Sequence, residues 1–228
     1  MKIIVIGDVH GCSAALNAML KKVEPGREDT LVMLGDLFDR GPDSFGVFET
    51  VQRLADEMGE RFVLLRGNHE DYLLQTKLSF TQKLMWDKVG RGDTVKSFKA
   101  HGGKMEDAGP WIKEHCRLFW RGEGVQCVHA GLLMDPLEVN DTHTLIHDHH
   151  IALRNAYDGP LTIVGHIALE SPVWFKGDRE NVEKLPYGEW TELPKRGVIC
   201  IDTGCGKGGC LTAMVIEDGK YKLEGAAS

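Results

Sequence analysis

An α/β fold, with parallel strands joined by crossover helices and a second, partly antiparallel sheet packed on the first, is predicted by three observations on this 228-residue chain. Short β-branched apolar runs punctuated by glycine recur along it, segments of helical periodicity separate the first of them, and the final third returns to strands. The length supports one substantial core, so a single domain over 1–228, with a helical lobe inserted at 71–121, is the economical organisation.

The first strand is read at Lys2 to Ile6. Leu16, Met19, Leu20 and Val23 then recur at helical spacing, with Ser13 as the expected N-cap and Pro25-Gly26 beyond the end. A second strand at Thr30 to Leu34 leads into another helix, carried by Val47, Phe48, Val51, Leu54, Ala55 and Met58, which starts after Pro42-Asp43-Ser44 and stops at Gly59. Arg61 to Leu65 completes a β-α-β-α-β unit, the signature of parallel pairing. From Asp71 to Arg121 the pattern is mostly helical, broken at Gly90, Gly92, Gly102-Gly103 and Gly109-Pro110, and Trp86, Trp111 and Trp120 are read as packing residues. Strands return at Val125 to Val128, Leu161 to Val164 and Val198 to Ile201. A hairpin of Leu211 to Ile216 and Tyr221 to Leu223, turned at Asp218-Gly219, ends the chain.

With 42% hydrophobic and 27% charged residues and a net charge of −7, the composition is that of an ordinary soluble globular protein. An acidic balance without Lys/Arg runs excludes a nucleic-acid backbone partner, so a phosphorylated substrate must meet local positive charge, for which metal ions are the expected source. The first apolar run ends at Gly7-Asp8, too early for a signal peptide, and no run approaches the roughly 18 to 20 residues of a membrane span; a cytoplasmic protein is expected. Cys12, Cys116, Cys127, Cys200, Cys205 and Cys210 lack CxxC pairs and are read as reduced thiols.

The chemistry lies where polar residues meet strand ends. Asp8-Val9-His10 follows the first strand, Gly35-Asp36 the second, Arg66-Gly67-Asn68-His69-Glu70 the third, His129-Ala130-Gly131 the fourth and Gly165-His166 the fifth. Sites in α/β sheets form beyond the carboxyl ends of strands, so residues this far apart in sequence can converge. Asp8 and His10, at i and i+2 of an extended segment, point the same way and can share one ion. Carboxylate, imidazole and amide oxygen suit first-row divalent ions better than calcium. Asp36, with two oxygens, is the expected bridge to a second ion completed by Asn68, His129 and His166. Two such ions about 3.5 to 4 Å apart clamp attacking and leaving oxygens and lower the pKa of bound water. One Asp or His at a strand end is ordinarily a cap; six of them on five successive strand ends are not explained that way.

Gly7-Asp8-Val9-His10-Gly11, Gly35-Asp36-Leu37-Phe38-Asp39-Arg40-Gly41 and Gly67-Asn68-His69-Glu70, followed by His129-Ala130-Gly131 and Gly165-His166, resemble the motifs of the calcineurin-like metallophosphoesterase superfamily, and within it the bacterial and phage branch of the phosphoprotein phosphatases. The resemblance implies a four-layer α-β-β-α sandwich with two mixed sheets and a dinuclear centre of manganese, with iron or zinc as alternatives. It implies that Asp8, His10 and Asp36 hold one ion, and that Asp36, Asn68, His129 and His166 hold the other, with a water between them as nucleophile. By the same resemblance His69 is the general acid, Asp39 orients it and Arg40 grips the phosphoryl oxygens. The implied activity is serine/threonine protein phosphatase on a phosphorylated protein or small phosphoester. The alternative is a dinucleoside tetraphosphate hydrolase, which shares the metal motifs, and a catalytically silent metal-binding scaffold ranks below both.

The chain departs from the family pattern in two places. A second phosphate-binding arginine has no clear match in Asp141 to His150; Arg154 is the nearest candidate, and His149 or His150 could substitute. The Gly-His motif continues Ile167-Ala168 where Thr is usual. His143 and His147 are an i, i+4 pair open to a third metal, against the plainer reading of a polar helix at the site mouth. Gly204-Cys205-Gly206-Lys207-Gly208-Gly209 is no Walker loop, because Lys207 is followed by Gly208 and then by a strand.

Overall fold

The computed structural model describes residues 1–75 and 77–228. Strand β1 (Ile3–Ile6) leads to helix α1 (Ser13–Val23), β2 (Thr30–Met33), α2 (Ser44–Met58), β3 (Phe62–Leu65) and α3 (Asn68–Leu74). Helices α4 (Phe80–Lys88), α5 (Arg91–Ala100) and α6 (Gly109–His115) form the lobe. The lobe gives way to short strands, β4 (Cys116–Arg117) and β5 (Phe119–Gly122), earlier than the expected boundary at Arg121, and β6 (Val125–Val128) follows. Then come α7 (Thr142–His147), α8 (His150–Arg154), β7 (Thr162–Val164), β8 (Val173–Phe175), β9 (Val182–Lys184), β10 (Thr191–Glu192), β11 (Val198–Cys200), β12 (Cys210–Glu217) and β13 (Lys220–Ala227).

Two mixed sheets result, in the orders β10-β13-β12-β1-β2-β3-β4 and β5-β6-β7-β11-β8-β9. In the first, β1, β2 and β3 run parallel, with Ile4 opposite Leu31 and Val32 opposite Val63, while β12 joins β1 antiparallel. The five strands whose ends carry motif residues therefore divide, three in one sheet and two, β6 and β7, in the other.

The two-residue period of a strand decides which core each side chain enters. Ile4, Ile6, Leu31, Met33 and Leu64 pack with Leu16, Met19, Val47 and Val51 of α1 and α2. The alternate residues Val5, Val32, Val63 and Leu65 face Cys127, Ile163 and Ile199 of the second sheet. That sheet's other face, through Val128, Val164 and Cys200, meets Leu145, Ile146 and Ile151 of α7 and α8. Three apolar layers between four layers of secondary structure give the α-β-β-α sandwich expected from the motifs. The cap of α1 differs from expectation: Cys12 occupies the N-cap position, and the Ser13 hydroxyl instead donates to Asp43 Oδ2 at 2.5 Å, tying α1 to the cap of α2.

Candidate metal centre

The loops after β1 and β2 are locked to one another by main-chain hydrogen bonds. His10 N donates to Asp36 O at 2.8 Å, Gly11 N to Leu37 O at 2.8 Å and Gly41 N to His10 O at 2.9 Å. Within the second sheet Gly165 N donates to His129 O at 2.7 Å, and across the sheets His166 N donates to Asp8 Oδ2 at 3.0 Å. Buried Glu70 organises the second loop by accepting from the backbone N–H groups of Asp36, Leu37 and Gly67 at 2.8, 2.8 and 2.9 Å. Burial, and then Asp36, raise its carboxyl to about 7. Sequence reasoning placed Glu70 in the Gly67-Asn68-His69-Glu70 motif without giving it a structural role; an acid at the third position of a helix, the reciprocal place of a capping box, was the available signal.

Close approach requires glycine at two places. A Cβ on Gly67 would lie 2.2 Å from Asp36 Oδ1, and one on Gly165 would lie 2.1 Å from Asp8 Oδ1. Five of the nine non-glycine residues with positive φ among the described residues, His10, Asp36, Asp39, Arg40 and His166, belong to the expected site. Left-handed backbone costs about 1–2 kcal/mol per residue, and such strain collects where geometry serves function.

The polar groups face inward as an electron-rich cluster. A carbonyl oxygen only accepts, so the His10 ring donates from Nδ1 to Phe38 O at 2.9 Å, and the His129 ring from Nδ1 to Leu34 O at 2.8 Å. Each Nε2 then turns a lone pair toward further acceptors. His10 Nε2 lies 3.6 Å from Asp36 Oδ2 and 4.0 Å from Asp8 Oδ2, while His129 Nε2 lies 3.5 Å from Asp36 Oδ1 and 3.3 Å from Asn68 Oδ1. His166 Nδ1 sits 2.9 Å from Asn68 Oδ1. Asp8 Oδ1 and His166 Nε2 are buried without a hydrogen-bond partner. Asp36 belongs to two groups of converging donors, one with His10 and His69 and the other with His129 and His166, each with ligand atoms within 4.8 Å of one another.

Electrostatics point the same way. Burial, Asp202 and Asp36 push the Asp8 carboxyl well above its usual range. Burial would raise Asp36 too, but His129, His69, His10 and His166 hold it well below the carboxylate range. Burial and His129 lower His166 to about 3, so its ring is neutral and ready to ligate. Lone pairs opposed by lone pairs, with orphaned buried atoms between them, are the arrangement divalent cations complete, and the oxygen and imidazole donors fit first-row ions.

Beside this cluster His69 is held differently. Its Nδ1 donates to Asp39 Oδ2 at 2.6 Å, and its Nε2 lies 3.8 Å from Asp36 Oδ2. Asp39 is fully buried, accepting also from Trp86 Nε1 at 2.7 Å and from the Thr94 hydroxyl at 2.6 Å. Trp86 and Thr94 come from the lobe, and nothing in their sequence context marked them. Burial lowers His69, but Asp36 and the Asp39 hydrogen bond outweigh it and leave the imidazole raised.

Arg40 points its Nη1 at His10 Nε2, at the edge of the cluster. The ion pair with Asp39 or Asp43 that would make Arg40 merely structural is absent among the described residues, since Asp43 accepts instead from Ser13, Gly46 and Ser97. Arg154 is not brought to the cluster; with His150 it lines a separate cavity of about 110 Å³ beside Leu132 and Tyr157. The structure instead stacks His149 on His166, centroids 4.7 Å apart, and sets His147 edge-on to His166 at 6.4 Å. His143 and His147 lie 4.9 Å apart but join no three-donor group among the described residues.

Comparison with known proteins agrees with the fold. A family model for calcineurin-like phosphoesterases matches residues 1–198. A symmetrical bis(5'-nucleosyl)-tetraphosphatase of Enterobacter sp. strain 638 is 42% identical over 278 positions, covering 98% of this chain and 94% of that protein. Serine/threonine-protein phosphatase 1 of Salmonella typhimurium is 29% identical over 229 positions, covering 93% and 91%. The crystal structure of a metallophosphoesterase from Sphaerobacter thermophilus superposes with a TM-score of 0.64 at 18% identity, covering 99% of this chain and 88% of that one. Among the described residues no helix is long and apolar enough to cross a membrane.

Proposed function

The chain belongs to the calcineurin-like phosphoesterase family, and from that footing we propose that it is a dinucleoside polyphosphate hydrolase that cleaves its substrate symmetrically. The observation that carries this substrate is the 42% identity to a named symmetrical tetraphosphatase across 98% of the chain. It places the dinucleotide ahead of the phosphoprotein, reversing the order the motifs alone had given.

Asp8, His10 and Asp36 would hold one divalent ion, and Asp36, Asn68, His129 and His166 a second. Bound there, the ions neutralise phosphoryl charge and activate water. The protein's own groups do the rest. Arg40, at the edge of the cluster, carries the planar guanidinium fork that can contact two non-bridging phosphoryl oxygens. His147 and His149, beside His166, take the place of the second arginine as N–H donors. His69, with Nδ1 committed to Asp39, delivers a proton from Nε2 to the leaving oxygen.

A second reading, hydrolysis of phosphoserine or phosphothreonine, is favoured by the Asp39–His69 pair itself. A serine alkoxide is a strongly basic leaving group that needs a positioned acid, whereas a nucleoside polyphosphate leaves as a weak base. The Salmonella typhimurium phosphatase also aligns more compactly, with 93% of this chain in 229 positions against 98% in 278 for the tetraphosphatase. The deciding experiment measures kcat/KM with manganese on diadenosine tetraphosphate and on a phosphoserine peptide. A tenfold or greater preference for the dinucleotide supports the first reading, and a preference for the peptide replaces it with the second.

A further inference from the structure

The lobe carries a groove of about 610 Å³ between the end of α3 and the start of α5, a size within the range of nucleotide-sized ligand sites. Its apolar wall includes Tyr72, Trp86, Leu78 and Met105. Tyr72 and Trp86 stack at 5.5 Å and 15°. Lys77, Lys83 and Arg91 supply positive charge on its lining against Asp87 and Glu106, an excess of cations in a chain whose net charge is −7. Arg91 pairs with Asp87 at 2.9 Å, but among the described residues Lys77 and Lys83 form no ion pair. Both lysines are exposed.

The groove shares its wall with the proposed acid. Trp86 donates to Asp39, the carboxylate that holds His69, and Tyr72 meets the His69 ring edge-on at 6.5 Å. Tyr72 and Trp86 therefore belong both to the groove lining and to the surroundings of His69, which sets the groove beside the proposed acid. An aromatic base beside a polyanion matches that lining, since base–aromatic stacking contributes about 1–3 kcal/mol and lysines pair with phosphate as point charges.

We propose that this groove binds the nucleoside diphosphate that departs from the reaction, its base against Tyr72, which is backed by the buried Trp86, and its phosphates against Lys77 and Lys83. The assignment rests on the dinucleoside tetraphosphate reading. In that reaction the water oxygen bonds to one of the two inner phosphorus atoms and the bond from that phosphorus to the central bridging oxygen breaks. One nucleoside diphosphate gains the water oxygen, the other keeps the bridging oxygen, and the two protons of water pass to the products and solvent. The groove holds the half that keeps the bridging oxygen.

The test is inhibition of p-nitrophenyl phosphate hydrolysis by ADP and by inorganic phosphate, in the manganese-loaded wild type and in a Lys77→Glu/Lys83→Glu variant. ADP is expected to inhibit the wild type at least tenfold more tightly than phosphate, and the variant is expected to lose about tenfold of that advantage, with phosphate inhibition alike in both proteins. ADP binding no tighter than phosphate, or an advantage that survives both charge reversals, would overturn the assignment. A phosphoserine peptide competing in a lysine-dependent way where ADP does not would overturn it in favour of a peptide groove. Absent turnover of diadenosine tetraphosphate alongside lysine-dependent ADP inhibition would remove the substrate reading and keep the groove as a nucleotide site.

Discussion

Replacing Asp39 with Asn tests the acid pair more sharply than removing His69, because it leaves the imidazole in place. Asp39 is fully buried and accepts three side-chain hydrogen bonds, from His69 Nδ1 at 2.6 Å, Trp86 Nε1 at 2.7 Å and the Thr94 hydroxyl at 2.6 Å. An Asn side chain has one oxygen for these donors and turns an N–H₂ toward at least one of them. The loss of one buried, charge-assisted bond costs about 1.5–3 kcal/mol, which in a domain of this size lowers Tm by roughly 3–12 °C. Turnover of a phosphoserine peptide falls by about two to four orders of magnitude, the usual worth of general acid catalysis. The loss is smaller for p-nitrophenyl phosphate, whose leaving group is a much weaker base.

The pH dependence follows from the sign of the His69 shift. Its folded pKa is raised by Asp36 and Asp39 in spite of burial, so the stabilisation is present below the unfolded value near 6.5 and is lost as pH rises through the raised value. The stability deficit of the Asn variant is therefore greatest on the acid side and shrinks as pH rises, and the alkaline limb of its rate profile moves to lower pH. The assays are thermal melts and kcat/KM profiles with manganese. Phosphoserine turnover within threefold of wild type, or an unmoved alkaline limb, would refute the reasoning.

Gly165→Ala drives a methyl group to 2.1 Å from Asp8 Oδ1. Overpacking of this kind costs about 1–3 kcal/mol, and metal analysis of the purified variant is expected to show reduced occupancy beside a lowered Tm; full metal content with unchanged Tm would contradict the placement of Asp8. His149→Ala removes the ring stacked on His166, and KM for phosphoester substrates is expected to rise about tenfold with the metal content retained, the worth of one good hydrogen bond to a charged group; an unchanged KM would exclude His149 as a phosphate ligand. Asp29 accepts from Lys2 N at 2.7 Å and Gly26 N at 2.8 Å, and although burial opposes them these bonds hold its carboxyl below the usual value. Its stabilisation is present above the unfolded pKa near 3.9 and lost as pH falls through the lower folded value. Asp29→Asn is therefore expected to cost about 1 kcal/mol in urea melts at pH 7 and almost nothing at pH 2; an equal cost at both would show that charge plays no part.

Much of the site could be read from sequence because its residues sit at strand ends, where an apolar run stops at a glycine and a ligand type follows. Asp8, His10, Asp36, Asn68, His129 and His166 all reach one cluster for this reason, and β1 to β3 form where their β-branched runs lie. The division of the five strands between two sheets could not be read this way, since Val125 to Val128 carries the same apolar signal whichever neighbour it pairs with. The lobe was opaque for another reason. Trp86 and Thr94 reach Asp39 across 47 and 55 positions of sequence, from helices whose own pattern speaks only of local packing. Arg154 illustrates the converse: the nearest arginine in sequence is exposed at the end of α8 beside another cavity, and the rings that reach His166 belong to His147 and His149.

The central claim, that the cluster around Asp36 is a metal-dependent phosphohydrolase centre, is tested most directly by turnover of p-nitrophenyl phosphate after metal stripping and manganese reconstitution, in the wild type and in Asp36→Asn. The account predicts negligible turnover when stripped, recovery on adding manganese to the wild type, and at least a hundredfold lower recovery in the variant. Hydrolysis that survives stripping, or an Asp36→Asn protein that recovers as fully as the wild type, would contradict it.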